Sequence, residues 1–262
     1  MPFTPSHILA IVPVGKLWPR KLAFSALAIG SIVPDWPLFI PIGPSYSATH
    51  SLIGLAIACI PLGLAIYVFF HSVLKQPLFE LLPHPLRQRS IQLAAPTVPS
   101  RMQQWLDIII AIAIGALTHI VWDAFSHQGK WGTQLIPVLN RTVLTIGNQP
   151  IPGYKLVQYG SSAIGLPLLL VFLLMWLRTS HPRATPPSPL TATTRTAIIA
   201  SLLVIPTLAG FWPIAQLLSS PMSYETFTDA IVSGVILAGG VLLVAIGIYS
   251  LLFYPLVRLQ KK

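Results

Sequence analysis

Residues 107–129 read DIIIAIAIGALTHIVWDAFSHQG. The stretch 105–127 is long enough to cross a bilayer, whose hydrocarbon core of about 30 Å takes roughly 20 residues at 1.5 Å each. Its first half is apolar after Asp107. The second half departs from that pattern, because His119, Asp123 and His127 recur every four residues, a spacing that stacks them along one helical face. Charge is costly against lipid, so a span ending in such a stripe turns it toward protein and is a default candidate for function. The apolar half speaks for the fold and the polar half for the chemistry.

Four further stretches reach the same length: 50–71, 157–177, 196–219 and 229–254. Only 8% of the 262 residues are charged and 54% are hydrophobic, against roughly a quarter charged in a soluble domain. Ahead of the spans, 4–15 would make a helix about 18 Å long, too short for a straight crossing. The stretch 22–40 is interrupted by Pro34, Asp35 and Pro37, so its helix is expected to stop between Ser31 and Pro34. Thr4-Pro5-Ser6 is a good helix start and Lys16 to Lys21 a basic turn, which makes 4–34 a hairpin. Its positive charges follow the first apolar run rather than precede it, the reverse of a cleaved signal peptide. The expected fold is an all-α polytopic membrane helix bundle, one integral-membrane domain over 1–262, with a short N-terminal helical hairpin plus five full transmembrane helices, 196–254 being the last helical hairpin. The 26 prolines predict broken or kinked helices.

A net charge of +10 suits nucleic acid when it forms a continuous face. Here it lies in short tracts between apolar runs, so the expected partners are membrane lipids and not nucleic acid. One set of connections carries Lys16, Arg20, Lys21, Lys75, Arg87, Arg89, Arg101, Arg178, Arg183, Arg195, Arg258, Lys261 and Lys262; the other carries only Lys130, Arg141 and Lys155. The positive-inside rule places the first set, and the carboxyl terminus, in the cytoplasm of a cell whose plasma (inner) membrane holds the protein. Trp18, Trp105 and Trp176 then fall near the inner boundary and Trp36, Trp122 and Trp131 near the outer one. Residues 76–104 read as an amphipathic connection on the inner surface and 179–195 as a flexible cytoplasmic linker. His71, His84 and His181 belong to the basic set and are expected to be solvated, and Asp229 is a candidate cap for the last span. Cys59 has no partner in the chain, which excludes an internal disulfide. There is no Gly-rich phosphate loop, no G-x-S-x-G and no Cys-x-x-Cys.

The remaining ionisable residues in apolar surroundings are His7 in TPSHILA, Asp35 in SIVPDWP, His50 in SATHSLIG, and the trio His119, Asp123 and His127. All six fall at the outer ends of their helices, in a topology set by Lys and Arg alone. His119 and Asp123, one turn apart, can address one ion, and imidazole with carboxylate suits a divalent metal, zinc first. An ideal helix carries His127 about 12 Å above His119. Either the helix ends near Phe125 and turns His127 inward, or His127 serves a second ion or an acid/base role. Gly129 and Gly132 make an early end reasonable. Tyr154, Trp131 and Asn140 are candidates for shaping a substrate mouth.

The segments MPFTPSHILA, IGSIVPD, THSLIGL and GALTHIVWDAFSHQG resemble a group of uncharacterised bacterial multi-pass proteins known only as a domain of unknown function. More distantly, they are similar to the predicted membrane-bound metal-dependent hydrolases, which carry an N-terminal His, a Pro-Asp, a Thr-His-Ser and a His-x-x-x-Asp in the same order. The resemblance covers about residues 1–140. It implies His7, Asp35, His50, His119 and Asp123 as the metal set, with His127 belonging to the nearer group. Where those hydrolases often have a His-Arg pair before the Thr-His, this chain has Ser45-Tyr46-Ser47-Ala48. The expected function is a metal-dependent hydrolase acting on a lipid or lipid-linked phosphoester at the outer membrane face, with Asp35 and His127 as catalytic candidates. The alternatives are a transporter or ion-handling protein, and a structural membrane protein without chemistry. A transporter needs polar groups stepping across the bilayer, yet 157–177, 196–219 and 229–254 contain no Asp, Glu, His, Lys or Arg apart from Asp229.

Overall fold

The computed structural model describes residues 4–17, 21–94, 99–147, 149–217 and 223–259. Trp18, Arg20, Lys261 and Lys262 lie outside them. Five helices are long and apolar enough to cross a membrane: Leu52–Leu81, Met102–Ser126, Gly153–Thr179, Ala192–Gln216 and Glu225–Val257. The chain is therefore an integral membrane protein of the all-α polytopic kind. It divides into two compact units, the first made of Met1–Trp36, Gly43–Val68 and Pro99–Thr179, the second of Pro37–Ile42, Phe69–Val98 and Ser180–Lys262.

The first unit opens with a 3-10 turn, Thr4–His7, leading into α1 (Ile8–Leu17); α2 (Lys21–Ile32) follows. As the Pro34 interruption requires, α2 stops at Ile32 and a 3-10 turn Val33–Asp35 intervenes before α3 (Trp36–Phe39). The short α4 (Tyr46–Thr49) precedes α5 (Leu52–Leu81). Ser51 caps α5 by accepting from the Gly54 amide at 2.9 Å.

What positions the interior is the contact of α2 with α7 (Met102–Ser126), which follows α6 (His84–Ala94). Ala26 and Gly30 on α2 and Ala111 and Gly115 on α7 are all buried. A Cβ at Gly30 would fall on the Ile112 carbonyl, and one at Gly115 on the Leu27 carbonyl, with the Ser31 amide 2.7 Å away. Small residues four apart let two helix backbones touch, which within a membrane replaces the hydrophobic effect as the source of helix association.

Beyond α7 come α8 (Trp131–Leu135), a 3-10 turn Pro137–Asn140, and an antiparallel ribbon of β1 (Thr142–Ile146) and β2 (Gln149–Pro152). Sequence reading had assigned no strand here. The overlooked signal is a β-branched run, TVLTI, closed by Gly147-Asn148, with Gly147 at φ 60°. The first unit ends with α9 (Gly153–Thr179).

In the second unit α10 (Ala192–Gln216) packs on α11 (Tyr224–Leu259) at Gly210, where a Cβ would lie 2.9 Å from the Gly234 carbonyl. Two sequence expectations change. The helices α9, α10 and α11 continue through Pro167, Pro206, Pro213 and Pro255, while α5 carries two π-helical turns, Leu55–Cys59 and Phe70–Leu74, and continues to Leu81. His71 consequently lies inside a helix, 4% exposed, with Nδ1 3.4 Å from Lys75 Nζ, and is not solvated. Ser223, not Asp229, caps α11, accepting from the Thr226 amide at 3.1 Å. The 180–191 connection has no helix or strand but is held down: Ser188 Oγ donates to Glu80 Oε2 at 2.6 Å, and the buried Arg87 reaches both Glu80 and the Pro186 carbonyl.

Candidate metal centre

The side chains of the polar constellation arrive on four different parts of the first unit. His7 ends the first 3-10 turn, Asp35 ends the second, His50 follows α4, and His119 and Asp123 occupy the last two turns of α7. The direct contact of α2 with α7 brings the Ser31 carbonyl to 2.7 Å from His119 Nδ1. A carbonyl can only accept, so Nδ1 carries a proton and Nε2 is the ring nitrogen turned inward. His50 is set the same way by the Tyr46 carbonyl, 2.9 Å from its Nδ1. The Tyr46 ring covers that imidazole at 3.8 Å between centroids. Thr49 Oγ1 donates to the Pro34 carbonyl at 2.7 Å and ties the two loops together.

The four inner atoms form a closed ring. His50 Nε2 lies 3.5 Å from Asp35 Oδ1 and 3.4 Å from Asp123 Oδ2; His119 Nε2 lies 3.5 Å from Asp35 Oδ1 and 3.6 Å from Asp123 Oδ2. All four are within 4.8 Å of one another, a grouping able to hold a metal ion. The site is buried: the side chains of His50, Asp35, His119 and Asp123 are 2%, 1%, 0% and 4% exposed. Thr4 Oγ1 donates to Asp35 Oδ2 at 2.6 Å, leaving Oδ1 for the ring.

The other oxygen of Asp123 looks the opposite way. Its Oδ1 is 3.6 Å from His7 Nε2, and the His7 ring stacks on His119 at 3.8 Å. The helix ends at Ser126, and His127 leaves it in extended conformation, φ −129° and ψ 139°. That break folds His127 Nδ1 back onto the Asp123 carbonyl at 3.1 Å and to 3.6 Å from Asp123 Oδ1. The early helix end expected as one alternative is observed, but it turns His127 toward Asp123 Oδ1 and not into the four-atom ring. His127 is the most accessible of the six, its side chain 19% exposed. Burial holds its imidazole below the usual histidine range.

Nε2 of His7, His50, His119 and His127, together with Oδ1 of Asp35 and Asp123, are buried and have no hydrogen-bond partner. The large majority of buried side-chain polar atoms are paired, so this concentration of unpartnered donors and acceptors stands out, and four of the residues form a group that could hold a cation. Thr4, the Ser31 carbonyl and Tyr46 were missed in the sequence. Thr4 reads there as a helix start, a carbonyl has no sequence signal, and only the i, i+4 spacing of Tyr46 and His50 hints at their contact. Trp131 packs edge-on to Phe125 at 5.3 Å, Asn140 Nδ2 donates to the Thr133 carbonyl at 2.6 Å, and Tyr154 Oη reaches Gln128 Oε1 at 3.4 Å. These three lie in the segment bordering His127 and do not join the ring.

No curated protein and no solved structure matches this sequence. The family described as Domain of unknown function (DUF4184) matches over residues 1–253, both units included, and the chain belongs to that family.

Proposed function

We propose that this protein is a zinc-dependent hydrolase of a lipid or lipid-linked phosphoester, with its centre at the membrane boundary. The observation that carries the reading is the spacing of the ring. A charge-assisted N–H···O bond spans about 2.7–2.9 Å, and the four ring distances are 3.4–3.6 Å, too long for imidazolium–carboxylate pairs. Ligands about 2.05 Å from a tetrahedral zinc stand about 3.3 Å apart, whereas an octahedral magnesium at about 2.1 Å sets neighbouring ligands near 3.0 Å. The four His–Asp distances are therefore closer to the ligand spacing of a tetrahedral zinc site than to that of magnesium. Two carboxylates and neutral imidazoles also balance a divalent cation, which a buried pair of carboxylates needs.

Asp35, His50, His119 and Asp123 would hold the ion, and His7 Nε2 with Asp123 Oδ1 offers a second position sharing the Asp123 carboxylate. A divalent ion bound here supplies Lewis acidity, polarising a phosphoryl or carbonyl oxygen and bringing the pKa of water to about 7. His127 would move protons in this reading: it is the most open of the group, and an Nδ1–H held by the Asp123 carbonyl would leave Nε2 to accept. A bilayer-bound substrate suits a site at the end of a spanning helix, since such a molecule diffuses in that plane. The distribution of Lys and Arg puts this end outside and the carboxyl terminus in the cytoplasm of a plasma (bacterial inner) membrane. Ion transport fits less well, because α7 carries no ionisable residue between Asp107 and His119. Elemental analysis of protein purified in detergent, before and after incubation with zinc, tests the centre; phosphoesterase assays on the same preparation test the reaction. Unmodified protein that retains no zinc after incubation would defeat the proposal.

A further inference from the structure

The segment between α7 and α9 exposes an unusual amount of apolar surface for a connection. Trp131 is 52% exposed, Leu135 70%, Val138 50%, Val143 and Leu144 45% each, and Ile146 64%. The segment is nonetheless firmly seated. Thr133 is fully buried and donates to the His127 and Lys130 carbonyls, and Gly132 lies so close to α7 that a Cβ would stand 2.6 Å from the Ala124 carbonyl. These side chains are thus held outward by a fixed backbone. All five residues of β1 are exposed, and an isolated two-stranded ribbon in water is marginal without a covering layer.

Two further observations identify that layer. Both ends of the segment are tethered at one membrane boundary, since it leaves a spanning helix at Ser126 and enters another at Gly153. Its charges are all positive: Lys130 and Arg141 lie within it and Lys155 just after, with no Asp or Glu anywhere in 124–155. We infer that residues 130–146 form an interfacial platform whose apolar side chains enter the headgroup and upper acyl region of the bilayer and whose cations engage anionic phospholipid headgroups. Thr133 and Tyr154 connect this platform to His127 and Gln128, so lipid headgroups would be brought beside the polar cluster. The inference rests on the membrane spans and not on the metal or the reaction.

The test uses the full chain in vesicles of phosphatidylcholine with and without phosphatidylglycerol. An environment-sensitive fluorophore is attached at Leu135→Cys or Ile146→Cys, two exposed sites on separate elements; the native Cys59 is fully buried. At both sites the expected result is blue-shifted emission quenched by nitroxide-labelled lipid and little affected by aqueous iodide, with stronger lipid quenching when phosphatidylglycerol is present. The double variant Lys130→Gln, Arg141→Gln should lose that lipid dependence. Water-like emission quenched by iodide overturns the inference. Protection from both quenchers, together with cysteine cross-links between copies, also overturns it, because the covering layer would then be a second copy of the chain. Metal content, measured in parallel, stays unchanged under every one of these outcomes, which separates this inference from the hydrolase reading.

Discussion

Replacing Asp123 by Asn gives opposite results for a metal centre and for a purely structural hydrogen-bond cluster. The carboxylate lies within 3.4–3.6 Å of nitrogens on His7, His50, His119 and His127, more of the site than any other side chain touches. Asn keeps the shape, removes the charge and adds two N–H donors. Losing one partner of a buried charged set costs about 3–5 kcal/mol, which at 1.4 kcal/mol per decade weakens zinc binding by about two to three and a half orders of magnitude. At zinc concentrations about 100 times the dissociation constant, bound metal stabilises unmodified protein by about 2.7 kcal/mol, or roughly 5–10 °C in melting temperature for a chain of this size. Asp123→Asn should lose this increment. In chelator the order should invert: the variant has one buried carboxylate fewer facing Asp35 across the ring, so it melts at or above the unmodified protein. His127 lies off the ring, so His127→Gln should keep zinc affinity within about tenfold, the mild end of effects for a residue behind the ligands, and lose about 10²–10⁴ in turnover. Thermal melts in detergent with zinc and with chelator, plus metal content, decide it. An Asp123→Asn protein less stable than the unmodified one in both conditions would refute the reasoning, as would equal zinc loss in the two variants.

Thr4→Val, nearly isosteric, removes the 2.6 Å bond to Asp35 Oδ2 and should lower zinc affinity about 10–100-fold, read by chelator competition. Gly115→Ala places a methyl on the Leu27 carbonyl and should cost about 1–3 kcal/mol by overpacking, with zinc loss as Ser31 moves from His119; Gly160→Ala, which meets nothing within 4 Å, should be neutral or stabilising by up to about 1 kcal/mol, both measured by melting temperature. For topology, an impermeant thiol reagent should label Gln149→Cys, exposed and outside 130–146, from outside and Ser180→Cys only after permeabilisation; labelling of both from one side would remove Gly153–Thr179 as a crossing.

The number of spans, the hairpin and the break at Pro34 were legible in the linear chain because each rests on local physics: apolar run length against bilayer thickness, and the restriction a proline places on its predecessor. His119 and Asp123 could be paired for the same reason, since one helical turn joins them. The ends of α5 and α11 were misjudged where hydropathy fades gradually. His71 illustrates the consequence: its neighbours look like a basic turn, yet the helix continues through a π turn and buries it. What tertiary structure alone decided is how the site closes. Asp35 and His50 meet His119 because two glycines let α2 and α7 touch backbone to backbone, and the tautomer of His119 is chosen by a carbonyl 88 residues away. The fate of His127 depended on where one helix ended, a competition between another turn of α7 and the seating of α8 through Thr133 and Gly132. Local pattern specifies which residues can share an element; long-range contacts determine which atoms on different elements face one another, and ligand geometry is a property of those atoms.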